Sequence, residues 1–295
     1  MQAVISVALS LAPAHRRPGV LAISSFHSFI IGANRPVGHF LTRSLASQDL
    51  MYKGFGLESR ERLAMAAVGK PFFVLVPSLF HPDDYAHVPF WLEQAEEQDV
   101  PVVLLSSSAV FRARADAVYQ ENDEDYADHP LALDLLALEA LTRNNRRHLI
   151  LRIGQGFSLM ADDFANRLLT AIRDEHSLSL DMQRKFSPTP ADDIAEVILA
   201  MLKQAACSDD LWGTYHFCGV EPISSYAFAE ALLAEAGQYE NLSGVELKSQ
   251  EGGLMPAVWA PVTDNTLLFH TFGIKPKAWR KGLSRLIRRY YRAEG

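Results

Sequence analysis

Cysteine is scarce in this 295-residue chain: only Cys207 and Cys218 occur. Two thiols cannot build a disulfide framework, and such low usage suits a reducing, cytoplasmic setting. A basic face is lacking too. Lys and Arg total 28 against 35 Asp and Glu, a formal charge of −7, which argues against a nucleic-acid partner. No apolar run is long enough to span a bilayer, so a membrane partner is not expected. There is no Gly-x-Ser-x-Gly elbow, no His-Glu-x-x-His and no Cys/His cluster at metal-ligand spacing, which removes the usual hydrolase and metalloenzyme signatures. Internal repeats and low-complexity segments are also missing.

What remains is an ordinary globular composition, 48% hydrophobic and 21% charged. The length allows one large α/β domain or one domain with a smaller lobe. Residues 1–14 are small and apolar, with Arg16 and Arg17 after them. A secretory signal carries its charge before the apolar run. Residues 1–25 are therefore read as a poorly ordered extension or a start placed too early.

Apolar runs then alternate with helical segments. Strands are expected at residues 28–31, 50–55, 72–76, 102–105, 148–153 and 213–217. Helices are expected at 39–47, 60–68, 90–98, 130–144, 193–204 and 225–236, with another running to Arg173 and capped by Asp162 or Asp163. Thr189, Pro190 and Asp192 fit an N-cap, a first-turn proline and a capping-box acid for the 193–204 helix. Trp279, Leu283, Leu286, Ile287 and Tyr290 recur at helical spacing in a basic C-terminus, as expected of a surface helix docked by its apolar stripe. The alternation predicts an α/β fold with a doubly wound parallel sheet.

The first strand runs into Gly32-Ala-Asn-Arg-Pro-Val-Gly38 and then a helix, the setting that makes a glycine turn a phosphate-binding loop. The middle glycine, which lets a backbone approach a pyrophosphate, is replaced by Arg35. That guanidinium can serve a phosphate or block the site. A tight turn with no cofactor is an equal reading. The carboxylate that would bind a ribose is missing from the end of the second strand, where Gly54-Phe55-Gly56 stand and Glu58 is the nearest candidate. Residues 102–139 carry the central feature: a buried strand ending in Ser106-Ser107-Ser108, a loop with Tyr119-x-Glu121-x-Asp123, and a helix entered through His129-Pro130.

Together, residues 29–286 resemble the dTDP-4-dehydrorhamnose reductase family of the extended short-chain dehydrogenase/reductase superfamily. Ser106-Ser-Ser-Ala-Val-Phe111 is similar to that family's S-T-D-Y-V-F, and Tyr119-x-Glu121-x-Asp123 to its Y-x-E-x-D. Leu149-Ile-Leu-Arg152 is similar to L-I-x-R, and Ser187-Pro-Thr189 with Asp193-Ile-Ala195 to P-T…D-L-A. Gly213-Thr-Tyr-His216 and Trp279-Arg-Lys-Gly-Leu283 match G-x-Y-H and W-x-x-x-L. The resemblance implies a Rossmann-like core over residues 26–155 and a smaller C-terminal substrate-binding lobe over 156–295, with residues of about 181–205 returning to the core. It implies NADP or NAD as cofactor, held at Gly32, Arg35, Gly38 and Glu58. A sugar nucleotide would lie against Ser106, Ser108, Tyr119, Phe186 and Thr189, with residues 156–158 lining the same cleft. A protein partner or a homodimer is equally open to such a chain.

The departures fall on the chemistry. The family protonates its substrate carbonyl with a tyrosine as hydride arrives, and a lysine four residues on lowers that tyrosine's pKa. Counting from Pro130 puts the pair at Asp134 and Leu138; counting from Glu139 puts it at Leu131 and Leu135. No Tyr-x-x-x-Lys occurs anywhere. Ser107 alone keeps a family catalytic position. The expected protein is a catalytically degenerate, binding or regulatory relative. The alternative is an active NAD(P)H-dependent reductase of a dTDP-4-keto-6-deoxy sugar using Asp134, Tyr119 or His129 as a substitute acid.

Overall fold

The computed structural model describes residues 26–63, 70–78, 81–114, 116–160, 163–175, 177–256 and 258–294. The expected extension at 1–25 and residues 64–68 of the expected 60–68 helix lie outside them; residues 60–63 are irregular, not helical. The chain begins with β1 (Phe26–Ile31), α1 (Pro36–Ser47), β2 (Met51–Phe55), β3 (Lys70–Leu75), α2 (Val88–Glu97) and β4 (Val102–Ser107). It continues through α3 (Pro130–Arg143), β5 (His148–Ile153), β6 (Gln155–Phe157), α4 (Phe164–Asp174), β7 (Ser177–Leu180) and β8 (Pro188–Pro190). It closes with α5 (Ala191–Ala205), β9 (Gly213–Phe217), α6 (Ser225–Ala236), β10 (Glu246–Ser249), α7 (Thr266–Phe272) and α8 (Trp279–Glu294).

Six parallel strands form the main sheet in the order β2-β1-β3-β4-β5-β9. All six residues of β4 are buried, as expected of a central parallel strand covered on both faces. Alternate strand residues feed two separate cores. Ile30, Val74, Val103 and Leu151 pack with α1 and α5, whereas Ile31, Leu75, Leu104 and Ile150 pack with α2 and α3. The doubly wound Rossmann-like sheet of the sequence reading is thus present. Because β2 and β3 lie on opposite sides of β1, the chain reverses its winding there. A crevice must open beyond the carboxyl ends of β1 and β3, where open parallel sheets bind ligands.

The helix after Ser187-Pro-Thr189 starts at Ala191, with Pro190 as N-cap and no side-chain cap. Thr189 is not that cap. Its hydroxyl donates to Ser187 O at 3.0 Å and accepts from Gly219 N at 3.1 Å. Asp192 and Asp193 occupy the first turn, where the helix dipole favours acids, and are met by Arg285 and Arg289 of α8. Asp163, by contrast, does cap α4, accepting from Ala165 N and Asn166 N. The stripe Trp279, Leu283, Leu286 and Ile287 of α8 is buried. The small pairs β6–β8 and β7–β10 were not legible as strands, being only three or four residues long.

Candidate functional site

The glycine turn is built tightly. Gly32 sits at φ +97°, and a Cβ there would meet Val76 O at 2.6 Å; a Cβ on Gly38 would meet Gly32 O at 2.1 Å. Arg35 then reaches across the crevice. Its Nε donates to Asp84 Oδ2 at 2.8 Å, and its Nη2 donates to Oδ1. Asp84 is buried in the short 3-10 helix Pro82–His87 after β3, and its Oδ2 also accepts from Ser78 N at 2.9 Å. A bidentate ion pair therefore ties the β1–α1 turn to the segment after β3. The Asp84 hydrogen bond holds the Arg35 guanidinium above its ordinary pKa, against partial burial, with help from Glu58. The structure thus brings Gly32, Arg35, Gly38 and Glu58 to one place.

Beneath this bridge the crevice encloses a cavity of ≈ 50 Å³ lined by Arg35, Val37, Tyr85, Leu105, Phe157 and Ile194 among others. Pockets that hold small organic ligands and cofactors run to about 300–1,000 Å³. Among the described residues, the space under the Arg35–Asp84 bridge is smaller than that. Tyr85 is buried and its hydroxyl has no hydrogen-bond partner among the described residues; burial raises its pKa. Asp163 lines the same cavity. Burial pushes its carboxyl up to about 7, against hydrogen bonds from Ser158 and the first turn of α4.

The strand-end hydroxyls point into structure. Ser106 Oγ donates to Glu139 Oε1 at 2.7 Å, and Ser108 Oγ donates to Pro261 O at 2.7 Å. Ser107 Oγ accepts from Ala109 N at 3.1 Å and donates to Ile153 O at 3.4 Å, with no exposed surface. Glu139 also accepts from Arg152 Nε at 2.8 Å and Nη2 at 2.6 Å. Burial opposes its charge, yet the Arg152 hydrogen bonds and charge, with Ser106, keep that carboxyl below its ordinary value. Tyr119 stacks on Phe111 at 4.5 Å and its hydroxyl donates to Arg112 O at 2.6 Å. Glu121 accepts from His216 N at 2.9 Å. The Tyr-x-Glu-x-Asp loop is thereby pinned to β9. Burial and the Arg152 charge depress the His216 ring to about 3, so it stays neutral.

On α3, Leu135 and Leu138 are buried in the core under the helix, and Leu131 packs against it. Asp134 is exposed, and His129 Nδ1 accepts from Ala132 N at 3.2 Å as the helix cap. Phe186 is buried among the rings of Phe164 and Phe228, and Thr189 is buried as described. Asp134, Phe186 and Thr189 do not line the small crevice cavity; Ser106 does.

Sequence reasoning missed Asp84 and Tyr85. The available signal was Pro82-Asp-Asp-Tyr85 just past the end of β3, directly opposite the glycine turn. It also missed a second, larger groove of ≈ 630 Å³, lined by Arg114, Val118, Arg184, Lys185, Trp259 and Pro261 among others. Trp259 Nε1 donates to Lys185 O at 3.1 Å, which fixes the ring against the basic segment.

Residues 91–292 match the RmlD substrate binding domain family. The chain belongs to that family. A dTDP-4-dehydrorhamnose reductase from Aggregatibacter actinomycetemcomitans is 25% identical over 209 residues, covering 68% of this chain and 70% of the relative. The Salmonella typhimurium reductase is 24% identical over 206 residues, covering 65% and 67%. Among solved structures, the Clostridium acetobutylicum dTDP-4-dehydrorhamnose reductase has a TM-score of 0.75 at 17% identity, covering 90% of this chain and 99% of that one. The Bacillus anthracis dTDP-4-dehydrorhamnose reductase in complex with NADP has a TM-score of 0.69 at 15% identity, covering 89% and 98%. At such identities the structural likeness concerns the fold. The family match begins at Trp91, so the glycine turn and the Arg35–Asp84 bridge of this RmlD-family chain lie ahead of it. No described helix is long and apolar enough to cross a membrane, and the described residues hold no cluster of metal ligands.

Proposed function

We propose that this RmlD-family chain is a non-catalytic binding or regulatory protein that keeps a sugar-nucleotide groove and has given up the dinucleotide. The observation that carries this reading is the bridged crevice, where Arg35 and Asp84 span the space above a ≈ 50 Å³ cavity. Hydride transfer also needs a proton donor beside the substrate carbonyl, worth 10²–10⁴-fold or so in rate. The buried leucines of α3 supply none, and Ser107 is spent on backbone partners. The substitute acids fare no better: Asp134 faces solvent, while His129 and Tyr119 are engaged in holding the helix start and the loop.

Ligand binding survives in this reading because the larger groove is built from other residues. Arg184 and Lys185 give it positive charge of the kind a diphosphate requires, Arg114 beside them is paired with Asp125, and Trp259 offers a flat face to a base. The named relatives are reductases of a dTDP-sugar, which makes dTDP and its sugars the first probes.

The test is a thermal-shift titration alongside turnover. A ligand that binds only the native state raises the melting temperature. dTDP or a dTDP-sugar is expected to do so, and NADPH and NADH are not. Oxidation of NAD(P)H with a dTDP-4-keto-6-deoxy sugar above a buffer blank, or a shift with NADPH alone, overturns the non-catalytic reading. Arg184→Glu with Lys185→Glu is expected to abolish the dTDP shift while leaving the ligand-free melt unchanged.

A further inference from the structure

The main sheet carries a polar row on the side that α3 covers. Ser106 of β4, Arg152 of β5 and His216 of β9 are register partners on neighbouring parallel strands, so their side chains leave the sheet on one face. All three are buried. Buried polar atoms are ordinarily hydrogen-bonded, and here Ser106 Oγ and the Nε and Nη2 atoms of Arg152 are taken up by Glu139 of α3. Arg152 Nη1 and His216 Nε2 are left over. Both are buried with no hydrogen-bond partner among the described residues, so they do not bond to each other.

The two atoms nevertheless share a neighbourhood. The Arg152 guanidinium carbon lies 5.0 Å from the centre of the Phe111 ring, and His216 meets the same ring edge-on with centroids 5.6 Å apart. Tyr126 flanks the guanidinium, its ring centre 5.9 Å away. Against burial, Glu139 and then the Tyr126 hydroxyl hold Arg152 above its ordinary pKa, which places that hydroxyl close by.

Their chemistry is opposite. Nη1 can only donate. His216 Nδ1 faces Tyr119 O at 3.2 Å. That carbonyl can only accept, so Nδ1 carries the ring proton. The ring is neutral, and a lone pair is therefore bare at Nε2. Whatever joins the two atoms must accept at one end and donate at the other. An anion has no proton to give Nε2, and a metal ion would face the fixed positive charge of Arg152. Water does both, and buried waters make about three hydrogen bonds to groups that lack other partners.

We propose that this corner is a binding site for a single ordered water, which accepts from Arg152 Nη1 and donates to His216 Nε2, its second proton directed to the Tyr126 hydroxyl. Tyr119, Glu121 and Tyr126 belong to the loop between β4 and α3. His216 already holds that loop, through Tyr119 O by its ring and through Glu121 by its main chain. The water extends the row without a break, from Glu139 through Arg152 and His216 to Tyr119. One tautomer of one imidazole thereby serves the loop on one side and the sheet on the other.

Two measurements on the unmodified protein decide this. A crystal structure with ordered solvent should show a peak about 2.7–3.2 Å from both Nη1 and Nε2. In solution, a long-range nitrogen–proton spectrum of the labelled chain should find His216 protonated at Nδ1 alone. Its carbon-bound ring protons should give cross-peaks to water of the sign that marks slow exchange. Arg152→Lys keeps a cation against Glu139 and removes Nη1; the ring–water cross-peaks should then be lost while the circular dichroism spectrum is unchanged. A direct bond between Arg152 and His216, a proton on Nε2, a peak touching only one of the two atoms, or cross-peaks that survive Arg152→Lys each overturn the proposal.

Discussion

In the proposed non-catalytic reading, Arg35 is the side chain that sets this crevice apart from a dinucleotide site. One substitution in a glycine turn brings in a guanidinium, and Asp84 across the crevice fixes it. Asp84→Ala removes the partner of a part-buried cation and an acceptor for Ser78 N. Breaking a buried pair costs about 3–5 kcal/mol, less where one partner is part-exposed as Arg35 is, so a loss of about 2–3 kcal/mol is expected in urea unfolding. Asp163 makes a second residue-scale prediction. Its folded carboxyl titrates at about 7 against an ordinary 3.8. Its contribution to stability is full below the unfolded value and is lost as pH rises through about 7. Asn caps helices as well as Asp; Asp163→Asn is therefore expected to keep α4 and to flatten the fall in melting temperature between about pH 4 and 7. His216 runs the other way. Its folded value of about 3 lies below 6.5, so its contribution holds above 6.5 and fades as pH falls through about 3. The acid-side decline should persist in the variant.

At the scale of elements, the sequence was most readable where a segment's environment is uniform. The strands β5 and β9 and the helix α6 were placed at their observed ends, β5 by its largely apolar run and α6 behind the serine that caps it. Thr189 misled because a Thr-Pro pair before acids looks like a helix cap, whereas α8 supplies the cations that settle those acids. That contact lies some ninety residues away, beyond any local signal. The α5–α8 junction is also close in space: a Cβ on Gly282 would meet Pro190 Cγ at 2.2 Å. Gly282→Ala must push α8 off β8, and overpacking of this kind costs about 1–3 kcal/mol, readable as a lowered thermal midpoint. The pair Glu139–Arg152 binds α3 to β5 in the same way. Arg152→Met strands a buried carboxylate and is expected to cost about 3–5 kcal/mol in urea unfolding.

At the scale of the whole molecule, the order of weak motifs along the chain was enough to name the family, because each motif sits at a junction that the sheet requires. The closed crevice was not legible, since it depends on two segments that meet only when β1 and β3 lie side by side. The larger groove was hidden for a similar reason: its walls come from three stretches, near residues 114, 184 and 259.

One feature of the fold bears on time rather than on space. The loop after β4 is fastened by the last quarter of the chain: Ser108 Oγ bonds Pro261 O across 153 positions, and Tyr119 N bonds Val262 O. Contacts of such separation form late, because a long stretch of chain must be closed first. During synthesis, β1 to β5 can assemble while residues 111–126 still lack their anchor. A chain stopped at residue 256 is expected to keep most of its helicity yet to be cut by protease within 112–126 well before the intact protein is. The part of the molecule that carries the family's most recognisable loop is thus the part whose shape is settled last.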